Sequence, residues 1–284
     1  MKFGVMIGGT HAHVGASFAL ALLVLIVTGG CETPSKAIPR NPVSMRSAIE
    51  TVNTNTSAIQ GTLRASGFVD GTSTRSDGKK MDYHLDGVLF YLRPTYVRFD
   101  LKSFGDRKFL LGSNAESFWV FDKAEERYHC ARHGEESELA DALPIPPDRV
   151  VDALGLSLID LDADDERTLG HVQRIVSDFQ QVLFLERDSD GLAALRKEYW
   201  LDRYSPYLIR RVIFRDVQGD VEMVSELGDY QPIASGGPLL PHSMKADWPR
   251  RGSQMRFRVS NWRIIPGLGP DALQFQPPSA CRNP

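Results

Sequence analysis

Three cysteines and one acidic run are the residues whose type and spacing could do chemistry here, and Cys31 carries the sharpest signal. It closes the run Thr28-Gly29-Gly30-Cys31, which follows an uncharged block from Ala16 to Val27 and a weakly charged start holding Lys2, His11 and His13. Spanning the hydrocarbon takes about 20 apolar residues, so the shorter block reads as the core of a signal peptide. Small residues at Gly29 and Gly30 offer a peptidase an extended, unbranched backbone, and cleavage before Cys31 leaves that thiol to carry a lipid. Thr28 stands where such sites usually place Leu, and the alternative is an ordinary secretory signal in which Cys31 is incidental. The expected order is a lipoprotein signal peptide over 1–30 and a flexible tether over 31–42, rich in Pro, Ser and Thr.

With Cys31 acylated, Cys130 and Cys281 remain in an oxidising compartment, and one disulfide between them is expected. It would close a loop of about 150 residues, worth roughly 5 kcal/mol as an upper figure in the chain-entropy model. The alternative is a buried free Cys130 with Cys281 in a loose C-terminal tail, 277–284.

Other chemistry is thin. Asp160-Leu161-Asp162-Ala163-Asp164 opens like a calcium loop, but Asp165 replaces the glycine and His171 the glutamate that the geometry needs. His129, Cys130 and His133 are close in sequence, yet on a strand 129 and 133 sit about 13 Å apart, too far to share a metal. There is no Gly-x-Ser-x-Gly elbow, phosphate loop or dinucleotide fingerprint. No catalytic residue, metal or cofactor is expected, and the chain reads as a non-enzyme. With 33 basic and 36 acidic residues the net charge is −3, and the arginines are scattered, which argues against a nucleic-acid partner.

These residues need elements to hold them. Val43, Ala48, Ile49, Val52 and Ile59 recur at helical spacing, which predicts an amphipathic helix over 43–58. After Gly61 the period becomes two. Strands are predicted at 62–70, 82–92, 96–101, 106–112, 116–121 and 127–132, joined by turn residues such as Arg93-Pro94 and Phe104-Gly105-Asp106. Glu135 to Pro147 is acidic and proline-rich, and Pro146-Pro147-Asp148 opens a helix over 149–155. Further strands are predicted at 171–177, 180–187, 194–202, 207–217, 220–229, 241–249 and 254–264. The fold class is mainly β: one long, curved antiparallel sheet with a polar convex face, an apolar concave face, a short N-terminal helix and helical insertions.

The helix after Pro42, the meander through Gly87-Val88-Leu89-Phe90-Tyr91-Leu92-Arg93-Pro94, then Leu111-Gly112-Ser113-Asn114 and Ser117-Phe118-Trp119-Val120-Phe121-Asp122 resemble the LolA/LolB-like lipoprotein carriers of bacterial envelopes. The resemblance covers roughly 43–132 and 195–276, and 133–195 is longer and more acidic than its pattern. It implies an unclosed half-barrel over 43–276 whose helices lid an apolar cavity for acyl chains. It further implies a lipid anchor, monomeric state and residence at the outer membrane, facing the periplasm, since Glu32 rather than Asp follows Cys31.

Dry-face parity nominates Val97, Phe99, Leu101, Phe109, Leu111, Val182 and Phe184 as cavity residues, although alternation looks the same where side chains fill a closed core. The resemblance also nominates Phe104, in the loop after the third strand, as a membrane contact; the alternative is a hairpin-tip Phe folded onto its own sheet. Two functions follow. One is a carrier or acceptor of acyl chains or lipoproteins; the other is a non-catalytic envelope module that uses the same sheet to bind or sense a partner protein.

Overall fold

The chain divides into Met1–Pro42 and Val43–Pro284. The computed structural model describes residues 43–74, 78–123, 126–133, 147–162, 168–188 and 190–281, without the side chains of Pro147 and Asp148. The signal peptide, Cys31, the tether, most of the acidic segment, Asp164 and Asp165, and the last three residues lie outside that set.

Helix α1 (Met45–Ser57) starts at Ser44, whose hydroxyl accepts the Ser47 amide proton at 3.1 Å and satisfies one of the unpaired donors of the first turn. Its stripe of Ala48, Ile49 and Val52 is buried. Helix α2 (Pro147–Ala153) opens on a proline, where the missing amide proton costs nothing.

The strands are β1 (Thr62–Thr74), β2 (Lys80–Leu92), β3 (Tyr96–Ser103), β4 (Asp106–Ser113), β5 (Ser117–Asp122), β6 (Arg127–Arg132), β7 (Thr168–Val176), β8 (Phe179–Arg187), β9 (Ala193–Asp202), β10 (Ile209–Arg215), β11 (Val221–Pro232), β12 (Leu239–Trp248) and β13 (Ser253–Ile265). They form one antiparallel sheet in the order β6-β5-β4-β3-β2-β1-β13-β12-β11-β10-β9-β8-β7. Its edges β6 and β7 do not pair, so the sheet is not closed into a barrel. Two meanders meet where β1 pairs with β13, from Thr62 against Ile265 to Thr72 against Gln254. Bulges at Ser66/Gly67, Leu101/Lys102, Phe184/Leu185 and Phe214/Arg215 add local bend and twist, which curve the sheet.

One large core lies on the concave face and includes Leu63, Val69, Leu89, Tyr91, Tyr199, Val212 and Phe257, with residues of α1 and α2. The convex face is not uniformly polar. Leu110, Trp119 and Cys281 form a second cluster there, flanked by Phe121, Tyr128 and Cys130. Trp119 faces Gly112 across the β4/β5 pair, and a Cβ on Gly112 would lie 2.2 Å from the indole, so only glycine lets that ring lie flat.

The chain after β13 folds back onto this face. Phe275 is fully buried edge-on to Tyr96 at 5.7 Å, Arg98 donates to the Gln274 carbonyl, and Cys281 is joined to Cys130 with α-carbons 5.6 Å apart. The stretch expected as a tail is therefore held to the sheet at the buried Cys281, while Ser279 and Ala280 just before it are exposed.

Candidate functional site

Because the meanders alternate direction, the β1/β2, β3/β4, β5/β6 and β12/β13 turns all lie at one end of the half-pipe. A cavity of about 780 Å³ opens there. Its wall is built from Leu85 and Leu89 on β2, Phe99 and Leu101 on β3, Phe109 and Leu111 on β4, Met244 and Ala246 on β12, and Met255 and Phe257 on β13. Val150, Ala153 and Leu154 of α2 and its following turn close one side.

Polar groups at the mouth are Thr74, Asp82, Ser103, Lys108, Asp122, Lys123, Arg251 and Ser253, and His84, Lys245 and the buried Ser225 also line the cavity. Curvature brings distant strands together. Three strand spacings, about 14 Å, separate β3 from β13, yet the Phe99 and Phe257 rings approach to 5.2 Å. Gly87 makes that approach feasible, since a Cβ there would be 2.9 Å from Val69 Cγ2 and 3.1 Å from Phe257 Cε2. Tyr83 stands in the wall and donates its hydroxyl to the Gln254 carbonyl at 3.3 Å; burial, aided by the charge of Asp70, pushes that hydroxyl up to about 12. Tyr83 therefore stays neutral and adds no charge of its own to the wall.

Of the residues nominated by parity, Phe99, Leu101, Phe109 and Leu111 line the cavity. Val97, Val182 and Phe184 do not, and the reason is packing. Val97 is fully buried below Phe99, near the floor, where Tyr91 shares its cluster and donates to the Leu156 carbonyl at 3.5 Å. Val182 is also fully buried, in one cluster with Leu156 and Ile159, and stands opposite the fully buried Tyr199.

Phe184 meets Tyr199 edge-on at 5.9 Å, and Lys197 lies over its ring at 5.5 Å while pairing with Asp152 of α2 at 2.7 Å. The covering segment is fastened by polar groups as well. Arg149 pairs with Glu222, Ser225 donates to the Ala153 carbonyl, and the Asn53 amide brackets the backbone of Ile159 with two 2.9 Å bonds.

Sequence reasoning missed Leu89, Met244, Met255 and Phe257. The signal was available in part, because Phe257 faces Val69 and Met244 in register and shares the alternation of its strand.

Phe104 projects fully into solvent at the β3/β4 tip, with a positive φ of 49° ahead of Gly105 at 83°. It is not folded onto the sheet. Cys130 is in the disulfide, and His133 Nε2 lies 2.9 Å from the Asn114 carbonyl and 3.1 Å from Ser113 Oγ.

No family model and no curated protein matches the chain. Among solved structures it is similar to a DUF1329 family protein from Desulfovibrio piger, at 15% identity and a TM-score of 0.51, over 83% of this chain and 98% of that one. It is also similar to a putative outer membrane lipoprotein-sorting protein domain from Vibrio parahaemolyticus (14%, TM-score 0.48, 79% and 94% covered). A third is a LolA superfamily protein from Nitrosomonas europaea (12%, TM-score 0.49, 78% and 94% covered). At 15% identity the first likeness shows a shared fold and nothing of function.

Proposed function

We propose that this protein binds acyl chains, free or as part of a lipoprotein, and acts as a non-enzymatic carrier or acceptor in the bacterial envelope. The observation that carries this reading is the cavity of about 780 Å³, lined mainly by apolar side chains and open at the end of the half-pipe where most of its charged groups lie. Each methylene withdrawn from water there contributes about 0.8 kcal/mol, so affinity needs almost no polar chemistry. Acylated Cys31 anchors the chain, at the outer membrane and facing the periplasm, and the joined Cys130 and Cys281 suit that oxidising compartment. Phe104, fully exposed at the cavity end, is the side chain best placed to enter a bilayer during transfer.

Native mass spectrometry of protein taken from the envelope without detergent tests the central claim, with a bound lipid expected. A protein that carries no lipid and binds no fluorescent fatty-acid analogue would leave the partner-binding module as the reading to pursue. Cys31→Ser tests the anchor separately. The variant should leave the membrane fraction or remain uncleaved, and a variant still in the membrane at mature size would remove the lipidation claim.

A further inference from the structure

We infer that the outer edge of β7 is a pairing surface for a second copy of this chain, which lays its own β7 antiparallel against it across a two-fold axis at Val172. On one side β7 pairs with β8, from Thr168 against Glu186 to Val176 against Phe179. Among the described residues no strand pairs with its other side, so a row of backbone amide and carbonyl groups faces outward there.

The two edges of the sheet differ in how they are guarded. Strand β6 is six residues long, carries Arg127 and Arg132 at its ends, and is tied through Cys130 to Cys281. Short length and charge are ordinary defences against strand addition. Strand β7 is nine residues long, and Arg174 is its one residue of fixed charge. Even that charge is drawn toward the neighbouring strands, since Arg174 donates to Gln181, which donates to Glu198 at 2.6 Å. Leu169, Val172 and Ile175 on the same strand are 39%, 45% and 57% exposed. A long, apolar edge without such defences is one that pairs.

The occupant follows from self-complementarity. Two identical antiparallel strands related by a two-fold axis must be centred on a residue, because residues that face each other use the same side of the backbone. The middle of Thr168–Val176 is Val172, which then faces itself, with His171 facing Gln173 and Gly170 facing Arg174. Beyond these, Ile175 of one copy comes to Leu169 of the other, at the bulge between Thr168 and Gly170. Arg174 thus meets a residue without a side chain, no like charges stand opposite each other, and the exposed apolar side chains are covered. The cavity is lined by no residue of β6 to β10, so both copies keep an open mouth. One strand pair is small beside the about 800 Å² per partner of a lasting complex, so the dimer forms and parts with concentration.

The experiment is disulfide trapping of the lipidated full chain in the envelope. With Cys31 acylated and Cys130 joined to Cys281, Val172→Cys supplies one free thiol. Across the axis the two α-carbons would lie about 4.5–5.5 Å apart, a separation that a disulfide spans. Non-reducing gels should show a species of twice the chain mass that reduction removes. Ile175→Cys is the control for register: its two copies would sit six positions apart along the strands, about 20 Å, and should not link. Equal dimer from both variants would mean random collision and overturn the inference. A Val172→Cys thiol that stays free, or that links to a different protein, would overturn it too.

Sedimentation of the full chain carrying Cys31→Ser gives an independent readout, with a concentration-dependent dimer expected. Adding Val172→Lys sets two ammonium groups against each other at the axis and should weaken that dimer at least several-fold. Because Val172 is exposed and outside the cavity, the urea midpoint and fatty-acid probe binding should match the parent. A parent that is monomeric at every concentration, or a Val172→Lys chain that dimerises as well as the parent, would overturn the inference and leave the acyl-binding function standing.

Discussion

The concave face has two halves that present apolar residues at the same period of two and meet different fates. On β3, Phe99 and Leu101 alternate with Arg98, Asp100 and Lys102 and line the cavity; on β8, Val182 and Phe184 share the concave face, with Leu183 and Leu185 on the other, and pack under Tyr199 and the segment after α2. What differs is the chain laid over them. Residues 150–161 pass above β8 to β11, fastened by Lys197 to Asp152, Arg149 to Glu222 and Asn53 to Ile159. Over β2 to β4 and β12 to β13, among the described residues, Val150, Ala153 and Leu154 reach into the cavity from one side. Alternation identifies the dry face of a strand; it does not say whether another segment or a ligand keeps that face dry.

The largest expected effect comes from placing one carboxylate on each half. Val182→Asp would bury a charge opposite the fully buried Tyr199, where no water reaches, and should cost several kcal/mol and prevent folding. Phe99→Asp puts the same group where cavity water can solvate it. That variant should still fold, with a loss of about 3–5 kcal/mol for the buried ring and its contact with Phe257, and should no longer bind a fatty-acid probe. Urea midpoints and probe binding, measured on both, decide the matter. A Val182→Asp protein with a near-normal midpoint would mean that the covered half is hollow too. Failure of Phe99→Asp alone would mean that the open half is packed.

Cys281→Ser moves the comparison to the convex face, where the last residues are held to β6. Loss of a cross-link closing a loop of 151 residues should lower stability by about 2–5 kcal/mol. Probe binding should be unchanged at low denaturant, because the strap and the cavity lie on opposite faces of the sheet. Non-reducing peptide mapping should recover Cys130 linked to Cys281; two free thiols in protein from the envelope would remove the basis of this expectation.

Much of the sheet was legible because its signals are local. All thirteen strands fall within a few residues of the predicted spans, since side chains at period two and turn residues such as Arg93-Pro94 act within a hairpin. Both helices were legible too, at Met45–Ser57 and Pro147–Ala153. The pairing of β1 with β13 was not, because nothing local ties Thr62 to Ile265 across two hundred residues of chain. The seat of 150–161 was hidden for the same reason: Asn53, Asp152 and Lys197 are ordinary surface types until the fold brings them together. Hence Phe99, Leu101, Phe109 and Leu111 line the cavity, while Val97 and Val182 are fully buried away from it and Phe184 packs against the core under Lys197.

The smallest expected effect separates neighbours on a single strand. Asp100 lies between Phe99 and Leu101 and points to the other face, where Arg107 holds both its oxygens at 2.8 and 2.9 Å, with Arg98 at 3.4 Å and Lys102 at 3.9 Å. Burial alone would push this carboxyl up, but the Arg107 hydrogen bonds and charge, then Lys102 and Arg98, outweigh it and hold it below the ordinary 3.8. A carboxyl lowered by folding adds stability that is fully present above its unfolded value and is lost as pH falls through the folded one. The contribution should therefore be complete at neutral pH and fade below about pH 4. Asp100→Asn removes it, at a cost of about 1–2 kcal/mol near pH 7, since asparagine keeps the shape and loses the charge. The gap between wild type and variant should narrow in urea titrations at pH 3, while fatty-acid probe binding at pH 7 matches wild type. A gap that does not change with pH would mean that Arg107 and Asp100 are not paired as described. A loss of probe binding would mean that the two faces of β3 are coupled, and that the cavity depends on the charges behind it as well as on the apolar side chains that line it.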